Sequence, residues 1–222
     1  MPDLTVQIEG AKSLPYAAVP AVALKLRVSS APPEQPVHTI VLKCQVQIDP
    51  AKRRYSAPEQ ARLHDLYGEP SRWAQTVKPL HWMNTSVTVP SFTGVTSVDL
   101  ELPCSFDFNL AATKYFHALE TGEVPITVMF SGTIFYAESD GRLQATQIPW
   151  DREASYRMPV AIWKQMMDDH YPSAAWLCLH RDVFEKLLDY KVRNGIPTFD
   201  RALEELLQQA PELVAAARSF KA

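Results

Sequence analysis

The densest collection of reactive side chains lies between residues 148 and 159, Ile-Pro-Trp-Asp-Arg-Glu-Ala-Ser-Tyr-Arg-Met-Pro. Two carboxylates, Asp151 and Glu153, alternate with Arg152, and Tyr156 and Arg157 follow three and four places after Glu153. Carboxylates can carry protons, and guanidinium forks can clamp an anion in two-point fashion. Trp150, Asp151, Arg152, Glu153, Tyr156 and Arg157 are therefore the candidate binding residues. The plainer reading is a domain junction, since clustered charges often pair with one another for structural reasons. On that reading Trp150 and Tyr156 are mostly buried and anchor helices on a sheet.

A second group could ligate a metal. Cys178 and His180 share a face if 176–180 is a strand, and Asp168, Asp169 and His170 precede them. Such ligands suit zinc or nickel. No compact spacing supports a site, so Cys178 and His180 stand as weak candidates and no cofactor is expected. The one basic run, Lys52-Arg53-Arg54, is short and reads as a solvated turn.

These residues must be held by two kinds of element. Up to about residue 147 the apolar period is two. Ile40, Leu42, Cys44, Val46 and Ile48 alternate with polar neighbours, and Leu4–Ile8 and Val22–Val28 do likewise. One wet and one buried face marks an antiparallel sheet in a sandwich. Further strands are expected at 80–89, 96–102, 124–136 and 142–148. Ser56-Ala57-Pro58-Glu59 is a capping box opening a short helix that Gly68 ends. A second short helix spans 111–119. Both look like insertions closing the ends or edges of the sandwich.

Beyond Pro149 the pattern changes. Residues 150–158 read as irregular. Helices follow at 159–170, at 182–194, and after Thr198, a cap residue. The fold class is thus α+β: an antiparallel β-sandwich domain at 1–147, with short inserted helices, and a helical unit at 148–222 packed on it.

Counts exclude several functions. The chain has 222 residues but only seven glycines, and the closest two, Gly132 and Gly141, are nine positions apart. No phosphate-cradling loop or nucleophile elbow can be written with that spacing, which removes Rossmann, Walker and α/β-hydrolase chemistry. Three well-separated cysteines build no disulfide framework and fit a reducing compartment. With 22 basic and 25 acidic residues the net charge is −3, a poor match to a polyanion. The N-terminus does not read as a signal peptide, and no apolar run is long enough to span a membrane. A cytoplasmic protein is expected, with neither nucleic acid nor membrane as partner.

Three stretches carry a family resemblance: Ser131–Tyr136, Ile148–Pro159 and Tyr171–Leu177, with Pro103-Cys104 and Lys114-Tyr115-Phe116 in support. They resemble an uncharacterised bacterial family, a domain of unknown function, over nearly the whole chain. Members of that family tend to be encoded beside actinobacterial-type NiFe-hydrogenase genes. The resemblance implies an accessory role in the assembly or stability of a NiFe hydrogenase or related redox complex, with a protein partner such as a hydrogenase subunit or maturation factor. It implies no catalytic residue. Two alternatives remain open: an enzyme or metal-handling protein using residues 150–157 with Cys178 and His180, and a dimeric regulator of ribbon-helix-helix type, whose strand would be 176–180.

Overall fold

A computed structural model describes residues 2–104, 110–138, 141–173, 177 and 179–219, with the backbone alone for 210–219. The fold is α+β. In chain order the elements are β1 (Asp3–Ser13), β2 (Ala21–Ala31), β3 (Val37–Ile48), α1 (Ala57–Tyr67), α2 (Trp73–Thr76), β4 (Leu80–Val89), β5 (Val95–Pro103), α3 (Leu110–Ala118), β6 (Glu123–Ala137), β7 (Leu143–Gln147), β8 (Glu153–Pro159), α4 (Val160–His170), α5 (Arg181–Arg193) and α6 (Phe199–Ser219). They form two compact units, Met1–Ala174 and Ala175–Ala222.

The first unit holds two antiparallel sheets. One has the order β1-β2-β5, the other β4-β3-β6, with β7 and β8 both on the far side of β6. The period-two pattern explains them. Val22, Leu24, Leu26 and Val28 of β2 and Ile40, Leu42, Val46 and Ile48 of β3 are wholly buried in one shared core. Their alternate neighbours Lys25, Arg27, Lys43 and Gln45 face water. Each such aliphatic side chain contributes about 1.5–3 kcal/mol on burial. At one side of the sandwich the Thr85 hydroxyl of β4 donates to the Glu101 carbonyl of β5. At the other, Arg152 reaches Asp3 beside β8 and β1.

The expected capping box is present: Ser56 Oγ accepts from the Glu59 N–H, and Glu59 Oε2 accepts from the Ser56 N–H. Glu59 is also half of a buried ion pair, 2.6 Å from Arg53, with side chains 4% and 8% exposed. Lys52-Arg53-Arg54 is therefore not simply a solvated turn. Arg53 points inward because it finds three acceptors at once: Glu59, the Thr121 carbonyl and the Glu123 carbonyl. It pins the β3–α1 link to the start of β6.

The expected boundary at 147/148 is corrected to 174/175, and 148–222 is not all helical. Residues 153–159 are β8, hydrogen-bonded to β6. Trp163 of α4 stacks on Phe116 of α3, with ring centres 5.4 Å apart and planes 10° from parallel. Val160, Trp163 and Met166 belong to the same core as the strands. That apolar stripe could be buried only against the sandwich.

The second unit contains α5 and α6. Thr198 caps α6 as its side-chain oxygen accepts from the Arg201 N–H. Phe184 meets Phe199 at 5.5 Å, yet no residue of α5 is buried. Leu177, Leu179 and His180 lie in no strand, while Trp176 and Cys178 fall outside the described residues. Among the described residues no helix is long and apolar enough to cross a membrane.

Candidate functional site

The 148–159 segment takes its shape from β6. That strand has 15 residues, enough for two neighbours in line. β8 pairs with Glu123–Met129 and β7 with Thr133–Ala137. Where they meet, the Ile148 N–H donates to the Gly132 carbonyl (2.9 Å) and the Phe130 N–H donates to the Arg152 carbonyl (2.8 Å). The edge thus spends three residues, 149–151, where β6 spends one, Ser131. Pro149, Trp150 and Asp151 bow outward, and the Arg152 N–H bonds back to the Pro149 carbonyl at 3.4 Å. Gly132 stands opposite with φ +133°, and a Cβ there would lie 2.0 Å from the Val41 carbonyl oxygen. Only glycine tolerates that approach.

Trp150 is 91% exposed, so the expectation of a buried anchor is corrected. Ile148 and Arg152, on either side of the excursion, spend backbone bonds on β6, and Pro149, Trp150 and Asp151 between them are all exposed. Tyr156 is half-buried against the core. Burial, and then the Glu123 charge, raise its pKa against a smaller lowering effect of the Ala11 backbone.

The six residues do not converge. Arg152 pairs with Asp3 at 2.6 Å and lies 4.0 Å from Asp151. Asp151 and Glu153 face solvent, and Glu153 stands opposite Met129. Of the six, Tyr156 and Arg157 border a cleft of about 270 Å³, together with Asp49, Lys52 and Ser155. Buried Asp49 is already committed there: one of its oxygens accepts from the Thr127 hydroxyl (2.7 Å) and from Lys52 (2.9 Å). No proton-carrying pair is assembled among the six.

Burial pushes the thiols of Cys44 and Cys104 up to about 12, which leaves them un-ionised and poor nucleophiles near neutral pH. Cys178 lies outside the described residues. His180 is the N-cap of α5, where its backbone carbonyl accepts from Val183 and Phe184. Among the described residues no three His, Cys, Asp or Glu side chains group so as to hold a metal.

A feature missed in the sequence lies beside Trp150. Alternation along β7 is fixed at both ends: the Arg142 carbonyl accepts from Glu138, and the Ile148 N–H donates to Gly132. Even-numbered residues thus face β6 in the plane of the sheet. Leu143, Ala145 and Gln147 turn their N–H and C=O groups outward, and β7 pairs with no other strand among the described residues. Leu143 is 62% exposed. The signal was available: Leu-Gln-Ala-Thr-Gln carries neither charge nor proline, the usual guards of an edge.

A family model matches residues 1–215, and its description is a family of unknown function, DUF6084. The chain belongs to the DUF6084 family. No curated protein and no solved structure matched this DUF6084 chain. The family assignment agrees with the resemblance read in the sequence as to an uncharacterised family, and it assigns no activity to any residue described above.

Proposed function

We propose that this DUF6084 chain is a non-catalytic accessory protein that holds a protein partner through the edge bearing Trp150. The exposure of Trp150 carries the reading. Tryptophan is among the residues that dominate protein interfaces, and this one is offered at the tip of an excursion whose base is fixed by two backbone hydrogen bonds. The pairing-off of Arg152 and the dispersal of Asp151, Glu153 and Arg157 support binding over acid–base catalysis. The partner we propose is a subunit or maturation factor of a NiFe hydrogenase or a related redox complex, in the cytoplasm, with no cofactor of the chain's own and with neither nucleic acid nor membrane involved. The family resemblance supports that context, and free, buried Cys44 and Cys104 suit a reducing compartment. The test is co-elution of the purified chain with hydrogenase large subunit, small subunit and maturation factors, one at a time. One of them should bind, and Trp150→Ala should weaken it about 30-fold, as loss of an interface hot spot of about 2 kcal/mol does. If none co-elutes, and deleting the gene leaves hydrogenase maturation intact, the reading fails.

A further inference from the structure

We infer that the partner enters as a strand: an extended, uncharged segment of a polypeptide adds to the sheet beside β7, bonding to the outward N–H and C=O groups of Leu143, Ala145 and Gln147 and ending against Trp150. The inference rests on the reading of this chain as a binding protein and says how it binds.

The sandwich closes its other edges. β4 and β5 meet where Thr85 bonds to Glu101. β1 lies against β8, where Asp3 meets Arg152. β1 begins at Asp3, level with the excursion, so it does not reach β7. β7 is left with orphan backbone groups of both kinds, alternating at strand spacing. That pattern is complementary to another extended backbone, and such strand addition is a general mode of peptide recognition.

The surroundings narrow the occupant. From Leu143 to Trp150 the sequence has no charged residue. Within that stretch a phosphate-bearing ligand finds no cation and a charged strand no counterion; Arg142 and Asp151 stand at its two ends. An apolar residue of the incoming segment has exposed Leu143, and Ala145 after it, beside it on the open face of the sheet. A second copy of the chain fits less well. Two β7 strands paired about Ala145 would set Leu143 against a glutamine and form a ribbon about 17 Å long. Five residues a side is far short of the roughly 20–30 a side that a standard interface uses. A short segment needs no such interface.

The experiment uses the full chain and a phage-displayed library of random twelve-residue peptides. Selected peptides should bind at micromolar concentration. Methylating their backbone nitrogens one at a time should weaken binding at least tenfold at alternate positions only. Ala145→Pro removes an outward N–H and no bond to β6, and it should weaken binding at least tenfold with the thermal transition retained. On binding, the amides of Leu143, Ala145 and Gln147 should change from fast to slow hydrogen exchange, while Ile148 is slow throughout. The methylation scan is done on the unaltered protein, so it decides the matter even if the proline variant fails to fold. Selection of no peptide, or of peptides indifferent to alternate methylation, overturns the inference. Peptides that need Trp150 but ignore the methylation pattern overturn strand addition while leaving a binding role in place. Peptides that pass both tests while no hydrogenase protein co-elutes would sustain strand addition and remove the proposed partner.

Discussion

Gly132 shows how one missing atom shapes the site. Its φ of +133° and the 2.0 Å gap between a would-be Cβ and the Val41 carbonyl leave no room for alanine. Gly132→Ala should cost about 3 kcal/mol, by urea denaturation, through backbone strain and overpacking together. The Arg53–Glu59 pair gives a second expectation. Burial pushes the Glu59 carboxyl upward, but the backbone N–H groups of Glu120 and Ser56, together with Arg53, outweigh it and hold its pKa below the ordinary 4.5. A folded-state pKa below the unfolded one stabilises the fold above about pH 4.5, and that contribution is lost as pH falls through the folded value. Glu59→Gln leaves a buried guanidinium unpaired and should cost about 3 kcal/mol at pH 7. In denaturation series the gap from the parent should narrow below pH 4.5; a gap independent of pH would refute the assignment. Cys44 and Cys104 give a third. With thiols near pKa 12, roughly one in ten thousand is ionised at pH 8. In a Cys178→Ser background, a thiol reagent should label neither until urea unfolds the chain.

Among the elements, those with a strong period were legible before any coordinates. Alternation in β2 and β3, the Ser56–Glu59 box and the Thr198 cap each state a local geometry that tertiary contacts did not need to override. β8 was missed although Ala154, Tyr156 and Met158 alternate with Glu153, Ser155 and Arg157. Its inward face starts with a small residue and includes a tyrosine, so the hydrophobic contrast is weak, and the adjoining proline and charges read as loop. The exposure of Trp150 was not legible at all, because it follows from where β6 allows its two neighbours to pair. Trp150→Ala should accordingly change stability by no more than about 0.5 kcal/mol, as surface substitutions do. A thermal melt shows the difference at once, since a buried tryptophan would cost several times more.

At the scale of the molecule, stability is unevenly placed. The continuous core runs from Leu4 to Met166 and lies within the first unit, whereas α5 has no buried residue. Hydrogen exchange should therefore be fastest in α5 and slowest in β2, β3 and β6, the strands with a partner on either side. Comparable protection in both would mean that the helices share the core's cooperativity. The excursion at 149–152 has a consequence of another kind. Ile148 and Arg152 are each fastened to β6 on their own account, so neither strand takes its register from the stretch between them. Chain length can change there without moving β7 or β8. Lineages are free to diverge at that point by insertion, and an epitope tag or fluorescent label spliced after Trp150 should ride on an otherwise undisturbed fold.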